Sequence, residues 1–382
     1  MGSSRLERDG DGSRVLLLTR MACIAQTYHR PRAVIPRAVR ARALAVGAIA
    51  ALALTCSTAN ASTLIIEGAG DGHGVGMSQD GALGYARHGA SDTQILAHYY
   101  TGATIGTAPP RRVVRVLVGS SVLRVPLERY VRGVVAAEMP AAWPQAALQA
   151  QAIASRTYAL TAHAGGSRFD VYADTRSQVY LGTAAETAAT NAAVRATAGQ
   201  IVLYAGHPAT TYYFASSGGM TENIEDSFLG SQAEPWLRGV PDPFEVRSAS
   251  AWRISLSFHT AAARLQGFIK GSFRGIEVLS RGASPRIVSA EVLGTRGATP
   301  VSGPDLAGAL GLTSTWAYFS VRDAHGVRRE PDRSGRPASG VPPAGAPSTP
   351  AAPPAPSGPQ GGAQAPTGST GTTAATGGAA AG

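Results

Sequence analysis

The sequence predicts an α+β domain of mixed short strands and helices. Segments of alternating β-branched character, such as "RRVVRVLVGSSVLRVP" (111–126), lie beside an alanine-rich stretch with helical punctuation (143–163). No long-period internal repeat is visible. At 382 residues, 44% of them hydrophobic, the chain is long enough to bury a sizeable core.

The elements follow in order. Residues 62–70, "STLIIEGAG", read as a strand running into a glycine-rich loop at 71–89, partly helical near 82–87. A short helix is expected over 91–102, where Ser91 and Gln94 form a capping box and Gly102 suits the stop. Two strands joined by a turn at 119–121 occupy 111–126. Two helices come next, one from Leu127 to about Met139 and one from Trp143–Pro144 to about His163, with Pro144 at its first helical position. The alanine content of the second implies close contact with a neighbour. A third helix is expected over 185–198, then strand, turn and strand over 200–217, then mixed strands and helices over 252–312.

Both ends differ from this middle. Arginine-rich sequence through Arg42 precedes the apolar run "ALAVGAIAALAL" (43–54) and the small-x-small pattern "ANA" (59–61), so residues 1–61 read as an export leader. The apolar run is shorter than the ~20 residues of a comfortable membrane span. From about 334 to 382 the composition collapses, Arg336 and Val341 apart, to Ala, Pro, Gly, Ser, Thr and Gln, which cannot bury enough apolar surface to offset chain entropy, so a disordered tail is expected there. The folded domain is thus 62–333.

Charge and cysteine usage exclude some functions. The net charge is +10, but the leader carries nine Arg against three acids, which leaves the rest at +4. No basic patch with interleaved aromatics appears, so a nucleic-acid partner is not expected. Cys23 and Cys56 both lie in the leader. The mature domain therefore has no disulfide and no cysteine-ligated zinc. We expect no metal and no cofactor.

One acid stands out. In "VVAAEMPAAWPQAALQAQAIASRTYAL", Glu138 shares a helical face with Val131, Val134 and Val135, while Glu128, Arg129 and Arg132 take the polar side. Burial among apolar groups raises a carboxyl pKa. Pro140 ends the helix at Met139, so Glu138 also faces the negative end of the helix dipole. Both effects favour the protonated form that a general acid needs. Spacing alone leaves open a structural role, in which Glu138 pairs with an arginine such as Arg156.

These residues carry a resemblance. "PLERYVRGVVAAEMPAAWPQAALQAQAIASRTYAL", "GHGVGMSQDGALGYARHG", "YYFASSGGMTENIEDSF" with "PWLRGVPDP", and "LAGALGLTSTW" resemble the four signatures of the SpoIID/LytB family, named for the stage II sporulation protein D. The resemblance implies a single SpoIID-type domain that binds peptidoglycan glycan strands, intact or peptide-stripped. It implies cleavage of the MurNAc–GlcNAc β-1,4 bond by lytic transglycosylation, with Glu138 as the catalytic acid and base. A lytic transglycosylase needs no second carboxylate to activate water, because the sugar's own 6-hydroxyl attacks the anomeric carbon, in contrast to the two-carboxylate glycosidase scheme. By the same resemblance Arg156 and Gln151 support the site by orienting Glu138 or the sugar. Two departures stand out: the GHGVGMSQ segment precedes the AEMP helix here, and the family's cysteine cluster before "QVY" is missing from "VYADTRSQVYLG" (171–182).

Other residues complete the expected site. His73, between Gly72 and Gly74, is expected either to line a sugar groove with Ser78 and Gln79 or to cap backbone in a tight turn. Tyr213, Ser216 and Ser217 suit sugar hydroxyls and ring faces. Nothing pairs Ser217 with a particular histidine, which argues against a serine hydrolase. Glu222, Glu225 and Asp226 read as a solvated loop face. The expected location is secreted, in the cell wall or on the outer face of the cytoplasmic membrane. The alternative is a non-catalytic, glycan-binding enhancer whose partner is a cell-wall amidase.

Overall fold

The computed structural model describes residues 62–245 and 250–335. The leader and all but the first two residues of the expected tail lie outside these. Within them the chain is α+β, with helices α1 (Gln79–Arg87), α2 (Asp92–Tyr99), α3 (Leu127–Glu138), α4 (Gln145–Thr161), α5 (Ala188–Ala196), α6 (Ile224–Ser227), α7 (Phe258–Arg264) and α8 (Gly303–Leu310) among several small sheets.

Two hydrophobic cores organise the chain. The first gathers α1 to α5, with Tyr99, Tyr130, Val131, Val134, Leu148 and Ile153 among its buried side chains. The second is built on an antiparallel sheet in which strand Thr63–Ala69 lies between Ala251–Ser257 and Ala317–Asp323, with Gly326–Arg329 at the edge. Leu64 and Ile66 point into this core with Phe319 and Val321, as the period of two along a strand requires. That sheet joins the two ends of the segment that forms the first core. A chain clamped in this way tolerates the early position of the GHGVGMSQ segment.

Helix α4 is the centre of the first core. It buries residues on every side, from Ala147 and Leu148 through Thr157 to Ala159. Alanine makes this possible, because small side chains let α1, α2, α3 and α5 approach closely. The polar groups it takes inside are satisfied. Thr157 donates to Ile153 O at 2.7 Å and accepts the Val202 N–H at 2.9 Å. Arg156, fully buried, makes a bidentate pair with Glu128, 2.8 Å on each arm, and also donates to Gln200 O at 3.0 Å.

The expected elements formed, with three differences. Helix α1 begins at Gln79, three residues before the expected 82, because Ser78 caps it by accepting the Gly81 N–H at 3.0 Å. Pro144 is the N-cap of α4, with φ −54° and ψ 143°, one position outside the expected first helical turn. The helix expected over 185–198 splits into a single 3-10 turn at Gly182–Ala185 and α5, whose own cap is Thr187. The capping box at Ser91 and Gln94 formed as expected.

The Arg156–Glu128 pair ties α4 to the start of α3. Arg156→Ala would leave the Gln200 carbonyl without its donor, while Glu128, 39% exposed, can turn to water, and it is expected to destabilise the fold by about 1–3 kcal/mol. Urea unfolding of the purified domain measures this. A loss under about 1 kcal/mol would show that the pair does not support the core.

Candidate active site

Helix α3 delivers Glu138 as its final residue, and Met139 then turns extended (φ −127°, ψ 141°) ahead of Pro140. The carboxylate is half-buried at the helix end. Three groups reach it. The backbone N–H of Val179 donates to Oε1 at 2.7 Å, the Tyr213 hydroxyl stands 3.3 Å from the same oxygen, and Gln79 Nε2 lies 3.4 Å from Oε2. Burial pushes the Glu138 pKa above the ordinary glutamate value, and the bonds from Val179, Gln79 and Tyr213 only partly offset it.

Each partner arrives on its own element. Strand Met77–Ser78 runs parallel to Tyr213–Phe214, so the glycine-rich segment and the "YYFASS" segment meet in register, Met77 opposite Tyr213. Gln79, the first residue of α1, and Tyr213 thereby converge on Glu138. Gln151 on α4 lies behind Gln79, its Oε1 3.4 Å from Gln79 Nε2, and its own amide donates to Ser155 Oγ at 2.9 Å. Gln178, buried in the loop before Val179, accepts from Tyr213 OH at 2.9 Å and donates to Tyr130 OH at 3.1 Å.

Beside this network lies a groove of about 350 Å³. His73, Tyr158, Tyr212, Tyr213 and Phe228 form its aromatic wall, and Thr175, Arg176, Ser177 and Ser231 its polar one. Among the described residues no carboxylate lines it. Tyr213 belongs to both groove and network. Aromatic faces flanked by hydroxyls suit pyranose rings, whose two faces are apolar and whose rims are polar.

His73 caps a turn and also lies on the groove wall. Its Nδ1 accepts the Val75 N–H at 3.1 Å, as a turn-capping residue does, and its ring sits on the groove wall, 5.0 Å from the Phe228 ring and 5.4 Å from that of Phe214. Burial, then the nearby Arg286 guanidinium, depress its pKa to about 4 against a weaker opposing bond to the Tyr213 backbone. The imidazole is therefore neutral near pH 7. Arg286 is fully buried beneath the glycine-rich loop, donating to Met220 O at 2.9 Å and Ser217 O at 3.1 Å. Gly74, at φ +88°, leaves room for it, since a Cβ there would fall 2.6 Å from Arg286 Nε.

Five expected site residues touch neither Glu138 nor the groove. Arg156 does not reach Glu138; it holds Glu128, ten residues earlier on the same helix and therefore about 15 Å away along its axis. Ser78, Ser216 and Ser217 are buried, and all three hydroxyls bond Glu245, at 2.8, 2.6 and 2.7 Å. Gln151, fully buried, touches Gln79 rather than the groove. Glu222 is a second correction. It is buried, not on a solvated loop, and it accepts the Ser284 hydroxyl at 2.6 Å and the Ala283 N–H at 2.7 Å. Glu225 pairs with Arg238, and Asp226 accepts from Asn223 at 3.0 Å.

The sequence reading missed Gln178, Val179, Asp242, Glu245 and Arg286. Asp242 and Glu245 are neighbouring buried acids. Burial and then Glu245 push Asp242 up to about 7, whereas in Glu245 the bonds from Ser216, Ser217 and the 217–218 backbone outweigh burial and hold it low. Two acids three apart in "DPFE" after the "PWLRGV" stretch were a visible signal. Val179 acts through its backbone, which no side-chain pattern can announce.

Residues 119–204, which contain Glu138, Gln151 and Gln178, match the family model described as SpoIID, stage II sporulation protein. The chain carries a SpoIID family domain. It is 35% identical over 162 residues to the stage II sporulation protein D of Bacillus subtilis, covering 38% of this chain and 47% of that protein. It is 38% identical over 136 residues to an uncharacterised protein of Brachyspira hyodysenteriae, covering 35% and 36%. It is also 35% identical over 127 residues to the amidase enhancer of Bacillus subtilis, covering 33% and 17%. The chain thus spans less than half the length of each of these relatives.

The raised pKa of Glu138 has a stability signature. A carboxyl whose folded pKa exceeds its unfolded value favours the fold while it stays protonated. That contribution is whole below the ordinary value of 4.5 and is lost as pH rises through the raised folded value. Glu138→Gln never ionises, so its stability relative to wild type should climb across that window and level off above it. Urea unfolding of both proteins from about pH 4 to pH 8 reads the difference, and a flat or falling difference would contradict a raised pKa.

Proposed function

We propose that this is an exported cell-wall enzyme that cleaves the β-1,4 bond between N-acetylmuramic acid and N-acetylglucosamine in peptidoglycan glycan strands by lytic transglycosylation. The observation that carries the reading is one half-buried carboxylate of raised pKa, Glu138, joined through Tyr213 to an aromatic groove that no carboxylate among the described residues lines. In the reaction the protonated Glu138 gives its proton to the glycosidic oxygen as the C1–O bond breaks. The carboxylate then takes the proton of the muramyl 6-hydroxyl as that oxygen bonds to C1. The product is a 1,6-anhydro-muramyl end, and no water is consumed.

Tyr213 and the Val179 N–H hold one oxygen of Glu138 during this exchange, and the aromatic wall receives the sugar rings. Arg176, at the groove edge and paired with Asp174, is a cation available to the polymer. Among the described residues no helix is long and apolar enough to cross a membrane. An export leader at 1–61 agrees with a substrate outside the cell.

The similarity to an amidase enhancer supports a second reading, a glycan-binding modifier of a cell-wall amidase that does not cut. One experiment separates the two. Purified protein is incubated with intact and with peptide-stripped peptidoglycan, and anhydro-muramyl products are read by mass spectrometry. Wild type should release them and Glu138→Gln should be slower by roughly 10²–10⁴-fold, the usual worth of a general acid and base. Equal release by both proteins rejects Glu138 as the acid. Retained binding with no release by either selects the enhancer.

A further inference from the structure

The two oxygens of Glu138 are held unequally. Oε1 accepts the Val179 N–H at 2.7 Å and also faces Tyr213 OH. The single Tyr213 proton has a shorter contact to Gln178 Oε1, 2.9 Å against 3.3 Å. Among the described residues Oε2 has one partner, the Gln79 amide nitrogen at 3.4 Å. A backbone N–H can only donate, so the oxygen that receives it so closely is a poor place for a proton. The proton of the acid form therefore sits on Oε2. There it meets Gln79 Nε2, another donor, and two donors facing each other leave the hydrogen bond between these side chains unmade.

Gln79 cannot resolve this alone. The same nitrogen faces Gln151 Oε1 at 3.4 Å, and Gln151 Nε2 donates to Ser155 Oγ at 2.9 Å. If only Gln79 turned its amide over, its oxygen would face the Gln151 oxygen. Gln151 must turn as well, and its oxygen then needs a donor. Ser155 supplies one, because a hydroxyl accepts or donates as required. Amide oxygen and nitrogen are nearly equal in size, so both turns leave the packing in place. Gln151 and Ser155 are fully buried and Gln79 almost so, which keeps water from making these bonds instead.

We propose that Gln79, Gln151 and Ser155 are positioning residues that form a reversible relay behind Glu138. With Glu138 ionised, Gln79 donates to Oε2 and to Gln151, and Gln151 donates to Ser155. With Glu138 protonated, Oε2–H and the Gln151 amide both donate to Gln79 Oε1, and Ser155 donates to Gln151 Oε1. No proton moves along the relay; only the direction of its hydrogen bonds reverses. Both forms of Glu138 are thereby satisfied, as a group that gives up a proton and regains one in each turnover requires. The relay deepens the acid and base role proposed above and rests on it.

The test needs no glycan. In the full-length protein, the Glu138 carboxyl and the glutamine side-chain amides are followed by NMR from about pH 4 to pH 8. The Gln151 amide, which does not touch Glu138, should shift with the same midpoint as the Glu138 carboxyl, and that shift should vanish in Glu138→Gln. Gln79→Met should leave Glu138 titrating while Gln151 stops following it. A Gln151 amide that stays constant in wild type while Glu138 titrates overturns the relay. A Glu138 already ionised at pH 4 overturns the acid role and the relay together. Failure of wild type to cut glycan, with Gln151 still tracking Glu138, would count against the reaction and support the relay.

Discussion

Helix α4 has no solvent-facing side along most of its length, yet it carries Gln151, Ser155, Arg156 and Thr157 in succession. Every one of these polar groups must find a partner inside the protein, since an unpaired polar group in a core costs more than a made bond returns. The arrangement of the first core follows from that demand. Arg156 reaches out to Glu128 and to the backbone of the strand at Gln200–Tyr204, Thr157 takes an N–H from the same strand, and Gln151 with Ser155 faces Gln79. Gln151 and Ser155 are one helical turn apart and share a face. Arg156, one residue on, projects about 100° away. That rotation is why the helix serves the Glu138 site with one face and the fold with another.

Carboxylates in this protein sort by what surrounds them. Glu222 and Glu245 are buried but wrapped in hydroxyls and backbone N–H groups, and Glu245 is held ionised by them. Asp242 sits beside Glu245 and is pushed toward its neutral form. Both environments are closed to solvent. Glu138 combines partial burial with a place next to an open aromatic groove, and only one of its oxygens is tightly held. A group in that position is placed to exchange a proton with a molecule in the groove; the others serve to hold loops together. Glu245 still acts on the site at one remove, since it fixes Ser78, which caps the helix that begins with Gln79.

Much of this was legible before the fold was known. The end of α3 before Pro140, the apolar face that Glu138 shares with Val131, Val134 and Val135, and the capping box at Ser91 are local, and their causes lie within a few residues. The early helix start at Gln79 was not, because Ser78 is fixed as a cap partly by Glu245, 167 residues away. Arg156 was misplaced for a similar reason. Two glutamates ten residues apart on α3 compete for it, and only the packing of α3 against α4 selects Glu128.

By itself the sequence determined the α+β class, the bounds of α3 and α4 to within a few residues, and the choice of Glu138 as the acid to watch. These depend on propensity, periodicity and termination, which are short-range. The tertiary structure alone decided which groups hold that acid. Gln79 comes from the start of a helix 59 residues earlier, Val179 from a loop 41 residues later and Tyr213 from a strand 75 residues later. Their convergence depends on the parallel pairing of Met77–Ser78 with Tyr213–Phe214 and on a backbone N–H, and neither leaves a mark in the order of side chains. Hydrogen bonds act over about 3 Å in space whatever the separation along the chain, so the chemistry of the site is written only once the cores have packed.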